Sequence, residues 1–369
     1  MLFIHKKIRP ITIHGGLNIN TSHSSLKILQ IFFLSTIVFL SLFSACFAET
    51  ISKAADRVTD NQLIDLNSEK YQLFFQELQD KHTFKKEDLH HLFKEIRINR
   101  KVLVLMDRQW ESKPYYKYWP LFITPSAVVK GKRKLRTHRQ LFDRIEEQFG
   151  VDREIIVAIW GIESRFGSNM GGYAIFQSLN TLFDAYPRRS DFFRKELIHF
   201  LLLCRENKID PLSVKGSYAG AFGQAQFMPS SFNEYAVDFD GDSHRDLISS
   251  TSDIFASIAN YLKKYNWALH GPVFVEIGNS LKTDLLLDTY QKGRKGRMEW
   301  RKVAKDQGVT LPRPQNNSQL SIIGLEKTPL LGGGKRFVAG YPNFHAITEY
   351  NHSNKYAMAV AEMAEAFKK

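Results

Sequence analysis

The stretch that most constrains this chain is Val151–Gly167, VDREIIVAIWGIESRFG. Asp152 is a good helix N-cap, and Gly167 is a good stop just past the last turn. Between them Ile155, Ile156, Val157, Ala158, Ile159, Trp160 and Ile162 leave no polar face. A helix that is apolar all round is a buried helix. It ends in Glu163, Ser164 and Arg165. A carboxylate at the end of such a helix is costly to ionise unless it is paired. Burial raises its pKa, which suits a general acid working near neutral pH. The alternative is a salt bridge from Glu163 to Arg165 or another base.

The 369 residues are 43% hydrophobic and 24% charged, enough for one large or two modest domains. The formal net charge is +13. Four of those charges (Lys6, Lys7, Arg9 and Lys27) precede Glu49 with no acid among them, leaving +9 on the rest. Such a surface suits an anionic polymer or is simply a basic surface that keeps the chain soluble. Residues 28–43, ILQIFFLSTIVFLSLF, are almost wholly apolar and follow the basic stretch. Three readings stand side by side. The run is a signal peptide cut after Ala48. Or Phe43-Ser44-Ala45-Cys46 is a lipobox, and Cys46 carries the lipid of an outer-membrane lipoprotein. Or the run stays as a membrane anchor, being close to the ~18 residues a span needs. All three put the body outside the cytoplasm, which argues against nucleic acid as the partner. Cys204 is the only other cysteine; it follows a Leu run and reads as a buried small hydrophobe.

Helical patterning begins near Gln72. Leu89, Leu92, Phe93 and Ile96 share one face. An aromatic and basic stretch, Arg108–Pro120, reads either as a carbohydrate groove or as core and loop. Lys130–Arg139 reads as a solvated charge run. A helix is expected from Ser190 to about Asn207. Lys215–Ser231 is dense in small residues, with Gln224 and Gln226 offering paired amide donors and acceptors. Val273–Ile277 reads as a strand that opens a small, loop-rich, partly β insertion. Ser353 caps a last helix with Tyr356, Val360, Met363 and Phe367 on one side.

Asp238–Asp246, DFDGDSHRD, places acids where an EF-hand loop begins. Ser243 stands where Gly is usual, and Ser249 where the bidentate Glu is usual. Asp253 is the nearest acid that could close a calcium cage, and it could equally cap the helix that follows. A calcium loop and a plain acidic turn both fit.

Seven segments in order carry a resemblance. They are Phe122–Pro125, GIESRFG around Glu163, YPRRSDFFR from Tyr186, KGSYAGAFGQAQFMPSS from Lys215, AVDFDGDSHRDL from Ala236, SIANYL from Ser257 and YNHSNKYAMAV from Tyr350. Together they resemble the membrane-bound lytic murein transglycosylase B family, from about residue 70 to the end and least around 275–340. The resemblance implies a mainly α (α+β) protein with a lysozyme-like core. The expected division is a signal region at 1–48, a helical region at 49–145, the catalytic core at 146–270, a small α/β insertion at 271–340 and a returning segment at 341–369. It implies cleavage of the β-1,4 bond between N-acetylmuramic acid and N-acetylglucosamine in peptidoglycan without water, leaving a 1,6-anhydromuramyl end, by a protein expected to be a monomer. Glu163 falls on the family's single catalytic acid. Ser217, Gln226, Arg188, Arg189, Tyr261, Tyr350 and Tyr356 match substrate-binding positions. Phe192 stands where relatives can carry Tyr. The calcium ligands it implies are Asp238, Asp240, Asp242, the His244 carbonyl and Asp253; no cofactor is implied for catalysis. Most glycosidases use two carboxylates. A second acid brought near by folding would make a lysozyme-type hydrolase, with Asp184, Asp191 and Glu196 as candidates. A non-catalytic peptidoglycan-binding protein is the remaining reading.

Overall fold

The computed structural model describes residues 53–107, 113–315 and 317–369. The apolar run at 28–43, Cys46, Ala48 and residues 108–112 of the aromatic stretch lie outside them. No helix among the described residues is long and apolar enough to cross a membrane. Among the described residues fifteen α-helices and six short strands follow in order. The N-terminal part holds α1 (Glu69–His82), α2 (Lys86–Phe93), α3 (Arg100–Met106) and α4 (Tyr115–Tyr118). Then come α5 (Pro125–Thr137), α6 (Arg139–Phe149), α7 (Arg153–Ser164), β1 (Tyr173–Ala174), α8 (Ile175–Ala185), α9 (Ser190–Glu206), β2 (Lys215–Gly216), α10 (Pro229–Tyr235) and α11 (Thr251–Lys264). The rest is β3 (Phe274–Gly278), α12 (Asp284–Gln291), β4 (Met298–Glu299), α13 (Trp300–Gln307), β5 (Gln319–Glu326), β6 (Lys335–Gly340), α14 (Pro342–Tyr350) and α15 (Asn354–Lys368). The protein is mainly α, with small antiparallel sheets.

The apolar helix α7 is the centre. Every residue from Ile155 to Ile162 is buried, and α5, α11 and α15 pack against it. Burying an Ile or Val side chain is worth about 1.5–3 kcal/mol, so α7 is a strong anchor for the helices around it. Trp160 meets Phe255 of α11 edge-on at 5.0 Å, and Phe142 of α6 stacks on the same ring at 4.8 Å. The N-terminal helices join through a second aromatic group, in which Tyr71 and Phe74 lie 5.0 and 5.3 Å from Phe183 of α8. Cys204 is buried, and burial pushes its thiol up to about 12, which leaves it inert.

The part around 271–340 is more than one strand. Its sheet runs β3-β6-β5-β4, all antiparallel. Both of its faces are covered. Ile323, Leu325 and Val338 face the main core, while Leu320, Ile322, Phe337 and Ala339 face a second cluster with Leu286 and Val303. Side chains alternate along a strand, so the run Leu320–Leu325 serves two cores at once.

Three sequence expectations change. Asp152 precedes α7, but its side chain does not cap it. It accepts instead from Trp267 Nε1 at 2.8 Å, from the His270 amide at 3.2 Å and from His270 Nδ1 at 3.0 Å. Ser250, not Asp253, caps α11. And the charge run Lys130–Arg139 is not merely solvated: Lys130 and Lys134, one turn apart on α5, lie over the rings of Phe166 and Trp160 at 5.2 and 5.3 Å. Since Asp152 holds the turn after α11 against the start of α7, Asp152→Ala should destabilise the fold by about 1–3 kcal/mol, the cost of buried donors left without a partner. Urea unfolding at pH 7 measures it.

Candidate active site

Glu163 lies in the last turn of α7. The Tyr356 hydroxyl of α15 donates to its Oε1 at 2.5 Å. The salt bridge to Arg165 does not form: Arg165 is exposed, and its backbone turns away from the helix. Glu163 keeps part of its surface open, yet it lies deep enough that burial pushes its pKa up to about 7, with the Tyr356 hydrogen bond opposing the rise. No acidic neighbour figures in that shift.

Behind Glu163 the chain does something costly. Arg165, Phe166 and Gly167 follow one another at φ 52°, 59° and 80°. For the two residues with side chains this left-handed backbone costs on the order of 1–3 kcal/mol each. The turn is pinned. Ser164 Oγ accepts from the Gly167 amide at 3.0 Å and donates to the Trp160 carbonyl at 3.1 Å. Lys130 donates to the Arg165 carbonyl at 3.0 Å. Gln224 Oε1 fills the place a Cβ on Gly167 would need.

Two tyrosines shape the other wall. Tyr350 runs parallel to Tyr356 at 6.5 Å and donates to the Ala225 carbonyl at 2.6 Å. Tyr261 is a layer further back. It is buried, it donates to the Glu349 carbonyl at 2.8 Å, and it packs on Tyr350 at 4.8 Å. Its hydroxyl is committed, so it supports Tyr350 instead of offering a free donor. Gln226, at φ 51°, donates to the carbonyls of Met170 and Gly223 at 3.0 and 2.8 Å. Ser217 Oγ accepts from the Ala221 amide at 3.0 Å. Both therefore shape the loop that faces α7.

In the acidic loop Asp238, Asp240 and Asp253 bring one carboxylate oxygen each within 4.8 Å of one another. Loop amides orient them: Gly241 and Ser243 donate to Asp238, and Phe239 and Asp246 donate to Asp253. Asp242 does not join this group. Its Oδ1 turns back to the His244 amide at 2.8 Å, a short-range bond that sequence spacing alone does not disclose. His244 is exposed.

Residues 67–365 match the family described as Transglycosylase SLT domain. Membrane-bound lytic murein transglycosylase B of Escherichia coli (strain K12) is 37% identical over 311 residues, 81% of this chain and 83% of that protein. The chain belongs to the lytic murein transglycosylase family. Among solved structures, the Escherichia coli lytic transglycosylase Slt35 in complex with calcium is 36% identical with a TM-score of 0.71, covering 84% of this chain and 96% of that one. SltB3 from Pseudomonas aeruginosa in complex with NAG-anhNAM-pentapeptide is 30% identical with a TM-score of 0.67, covering 80% and 78%.

For a lytic transglycosylase the fate of the other acids matters. Buried Glu196 is spent on α10, accepting from the Ser230 amide at 2.9 Å and hydroxyl at 2.7 Å. Asp191 is exposed. The backbone carbonyl of Asp184 accepts from Lys70 at 2.9 Å, beside the N-terminal helices. Arg188 pairs with Asp107 at 2.8 Å, and Arg189 lies over Phe192 at 4.2 Å and Phe193 at 5.3 Å. The two arginines are thus tied to their own neighbourhood. A cavity of about 790 Å³ opens at the other end of α7, against Asp152, Trp267 and Arg336. Its acids are already bonded: Asp152 as described, Glu276 and Glu362 to Arg336, and Glu365 to Lys368. Chemistry that needs a protonated carboxyl has its candidate at Glu163.

A carboxyl whose pKa rises on folding lowers stability as pH rises through that window, because only the unfolded chain then gives up the proton. Below pH 4.5 Glu163 is neutral in both states and contributes nothing. Between pH 4.5 and about 7 wild type should lose roughly 3 kcal/mol relative to Glu163→Gln, and nothing more above that. Unfolding curves of the two proteins across this range measure it.

Proposed function

We propose that this protein cleaves the β-1,4 bond between N-acetylmuramic acid and N-acetylglucosamine in peptidoglycan without water, with Glu163 as both acid and base. The observation that carries the reading is a single carboxyl, raised to about 7 and held by one tyrosine hydroxyl, while Glu196, Asp191 and Asp184 are engaged or placed elsewhere. Protonated Glu163 gives its proton to the leaving glycosidic oxygen as the bond from C1 breaks. The sugar's own C6 hydroxyl then forms the new bond to C1, and its proton goes to the Glu163 carboxylate. One glycan becomes two, with a 1,6-anhydromuramyl end and no water consumed. The Tyr356 hydroxyl favours the ionised carboxylate, so it steadies the state between the two proton transfers. Tyr350 and Tyr356 supply a flat aromatic wall, and Ser217 and Gln226 fix the loop opposite. That a relative is described with NAG-anhNAM-pentapeptide supports this product. Arg188, whose guanidinium stays exposed beside Asp107, and Arg189 are the cations for the peptide carboxylates of the substrate.

The acidic loop fits calcium as a brace. Oxygens bonded at 2.3–2.6 Å to one ion lie at most about 5 Å apart, and those of Asp238, Asp240 and Asp253 lie within 4.8 Å. These three would hold the ion; Asp242 and the His244 carbonyl would need the loop to turn toward it. Calcium there supplies charge compensation, not chemistry. The relative solved with calcium supports it. Of the five-part division, the second hydrophobic cluster supports the insertion at 271–340 as a part with packing of its own. We place the protein in the periplasm as a monomer, released after Ala48 or held to the outer membrane by a lipid on Cys46; detergent partitioning of the exported form separates the two.

Mass spectrometry of muropeptides released from purified sacculi tests the reaction. Wild type should release anhydro products, and Glu163→Gln should be slower by about 10²–10⁴-fold, the usual worth of a positioned acid–base group. Products one water heavier mean hydrolysis, and equal release by both proteins removes Glu163 from the mechanism. Calcium chloride should raise the melting temperature of wild type over that in EDTA, because a ligand bound only by the folded state stabilises it. Asp240→Asn should abolish most of that rise.

A further inference from the structure

The sequence offered Gln224 as one of two amides, and the reaction proposed above does not use it. Its side chain does three things at once. Oε1 accepts from Trp160 Nε1 at 2.8 Å, on the turn of α7 just before Glu163. The same oxygen packs on Gly167, closing the left-handed turn just after Glu163. Nε2 donates to the Ile248 carbonyl at 2.7 Å, inside the acidic loop. The Gln224 backbone amide also donates to the Leu247 carbonyl at 2.7 Å. At Gly223, φ +71°, a Cβ would meet that Leu247 carbonyl at 2.7 Å, so the two segments run in close backbone contact. Leu247 and Ile248 are themselves fixed by the acids, since Asp246 accepts from the Ile248 and Ser249 amides, and Asp253 accepts from the Asp246 amide.

We propose that Gln224 is a positioning residue that clamps the strained turn behind Glu163 to the acidic loop, so that order in the loop is transmitted to the catalytic carboxyl. The clamp is bivalent. The acceptor end holds Trp160 and Gly167, on either side of Glu163. The donor end holds the loop that Asp238, Asp240 and Asp253 shape. Without it no hydrogen bond described runs from the loop to Trp160, where only the packing of Phe255 remains, and the turn at Arg165–Gly167 keeps Ser164 and Lys130 but loses the group that closes it against α7. Glu163 then moves off Tyr356 and admits water.

The test uses the full exported chain with Gln224→Met, which keeps length and removes both hydrogen bonds, and Trp160→Phe, which removes only the indole donor. The inference rests on the transglycosylase reading, so two readouts are taken. In the first, release of anhydro products is followed against pH. Both variants should lose about tenfold or more in kcat with little change in KM. The alkaline limb should move to lower pH, since water at Glu163 lowers its pKa. The double variant should lose no more than the worse single one, because one bond is broken either way. Wild-type kcat and pH limb in Gln224→Met, or additive losses, overturn the clamp. If Gln224→Met fails to fold, Trp160→Phe alone carries this arm by the same criteria. The second readout needs no activity. The fluorescence difference between wild type and Trp160→Phe isolates that indole, and calcium chloride against EDTA should change it. In Gln224→Met the calcium-dependent change should be absent. A response of the same size there, or none in wild type, overturns the link to the loop. If wild type releases no anhydro product at all, the reaction proposed above fails, while the fluorescence still decides whether Gln224 joins loop and helix.

Discussion

The structure depends on the cost of putting a carboxyl at the end of a fully buried helix. Glu163 is carried into the interior by α7, and the carboxyl cannot choose a more polar place without unpacking Ile155–Ile162. Holding it there is unfavourable above pH 4.5 by the rise in its pKa, and the turn that follows adds two strained residues. Both terms are offset by the same source, the burial of α7 against α5, α11 and α15. An amphipathic surface helix could not do this. It would expose the carboxyl, restore its ordinary pKa, and leave the turn free to relax.

The surrounding elements make sense as devices for aiming one donor at that carboxyl. Tyr356 is in the first turn of α15, and Ser353 fixes where that turn begins by accepting from the Tyr356 amide. Helix α15 in turn is held from the far side by the inserted sheet, where Arg336 of β6 bonds Glu362 and Tyr115 donates to the same Glu362 carboxylate. The insertion thus reaches Glu163 through α15, and through α14, where Arg294 pairs with Glu349 next to Tyr350. It adds nothing to the chemistry but fixes the helix that carries the donor.

Much of this was legible in the sequence. The seven apolar positions of α7 announced a buried helix, and with it a raised pKa at Glu163. The run Val273–Ile277 was visible as a strand, one residue off the observed Phe274–Gly278, and the cap at Ser353 was visible as a cap. What the sequence hid is of one kind: bonds that depend on which partner folding delivers. Asp152 has the right residue type for a cap, but Trp267 and the His270 amide, more than a hundred residues on, compete for the same oxygens and win. Arg188 and Arg189 match substrate-facing cations, and the sequence does not disclose that folding sets Asp107 and Phe192 beside them. Tyr261 matches a sugar-contacting position, yet its hydroxyl is taken by the Glu349 carbonyl. Sheet β4–β6 was hidden for a different reason. Its strands are buried on both faces, so they lack the polar alternation that marks a half-exposed strand. The one signal that was present and unread is the spacing of Lys130 and Lys134, one helical turn apart and facing Phe166 and Trp160.

That spacing bears on why the protein is so basic. A cation over an aromatic ring beside a buried acid does not neutralise it at contact range, since neither lysine bonds Glu163. Burial and the neighbouring cations instead push Lys130's own pKa down. The positive field is therefore spread over α5 and not concentrated in an ion pair with Glu163. A direct pair would hold Glu163 ionised and remove the proton it has to give. A diffuse basic surface would attract an anionic polymer and still leave the carboxyl protonated. The net charge and the solitary, unpaired Glu163 are then two sides of one requirement: attraction at long range, and no cation at short range.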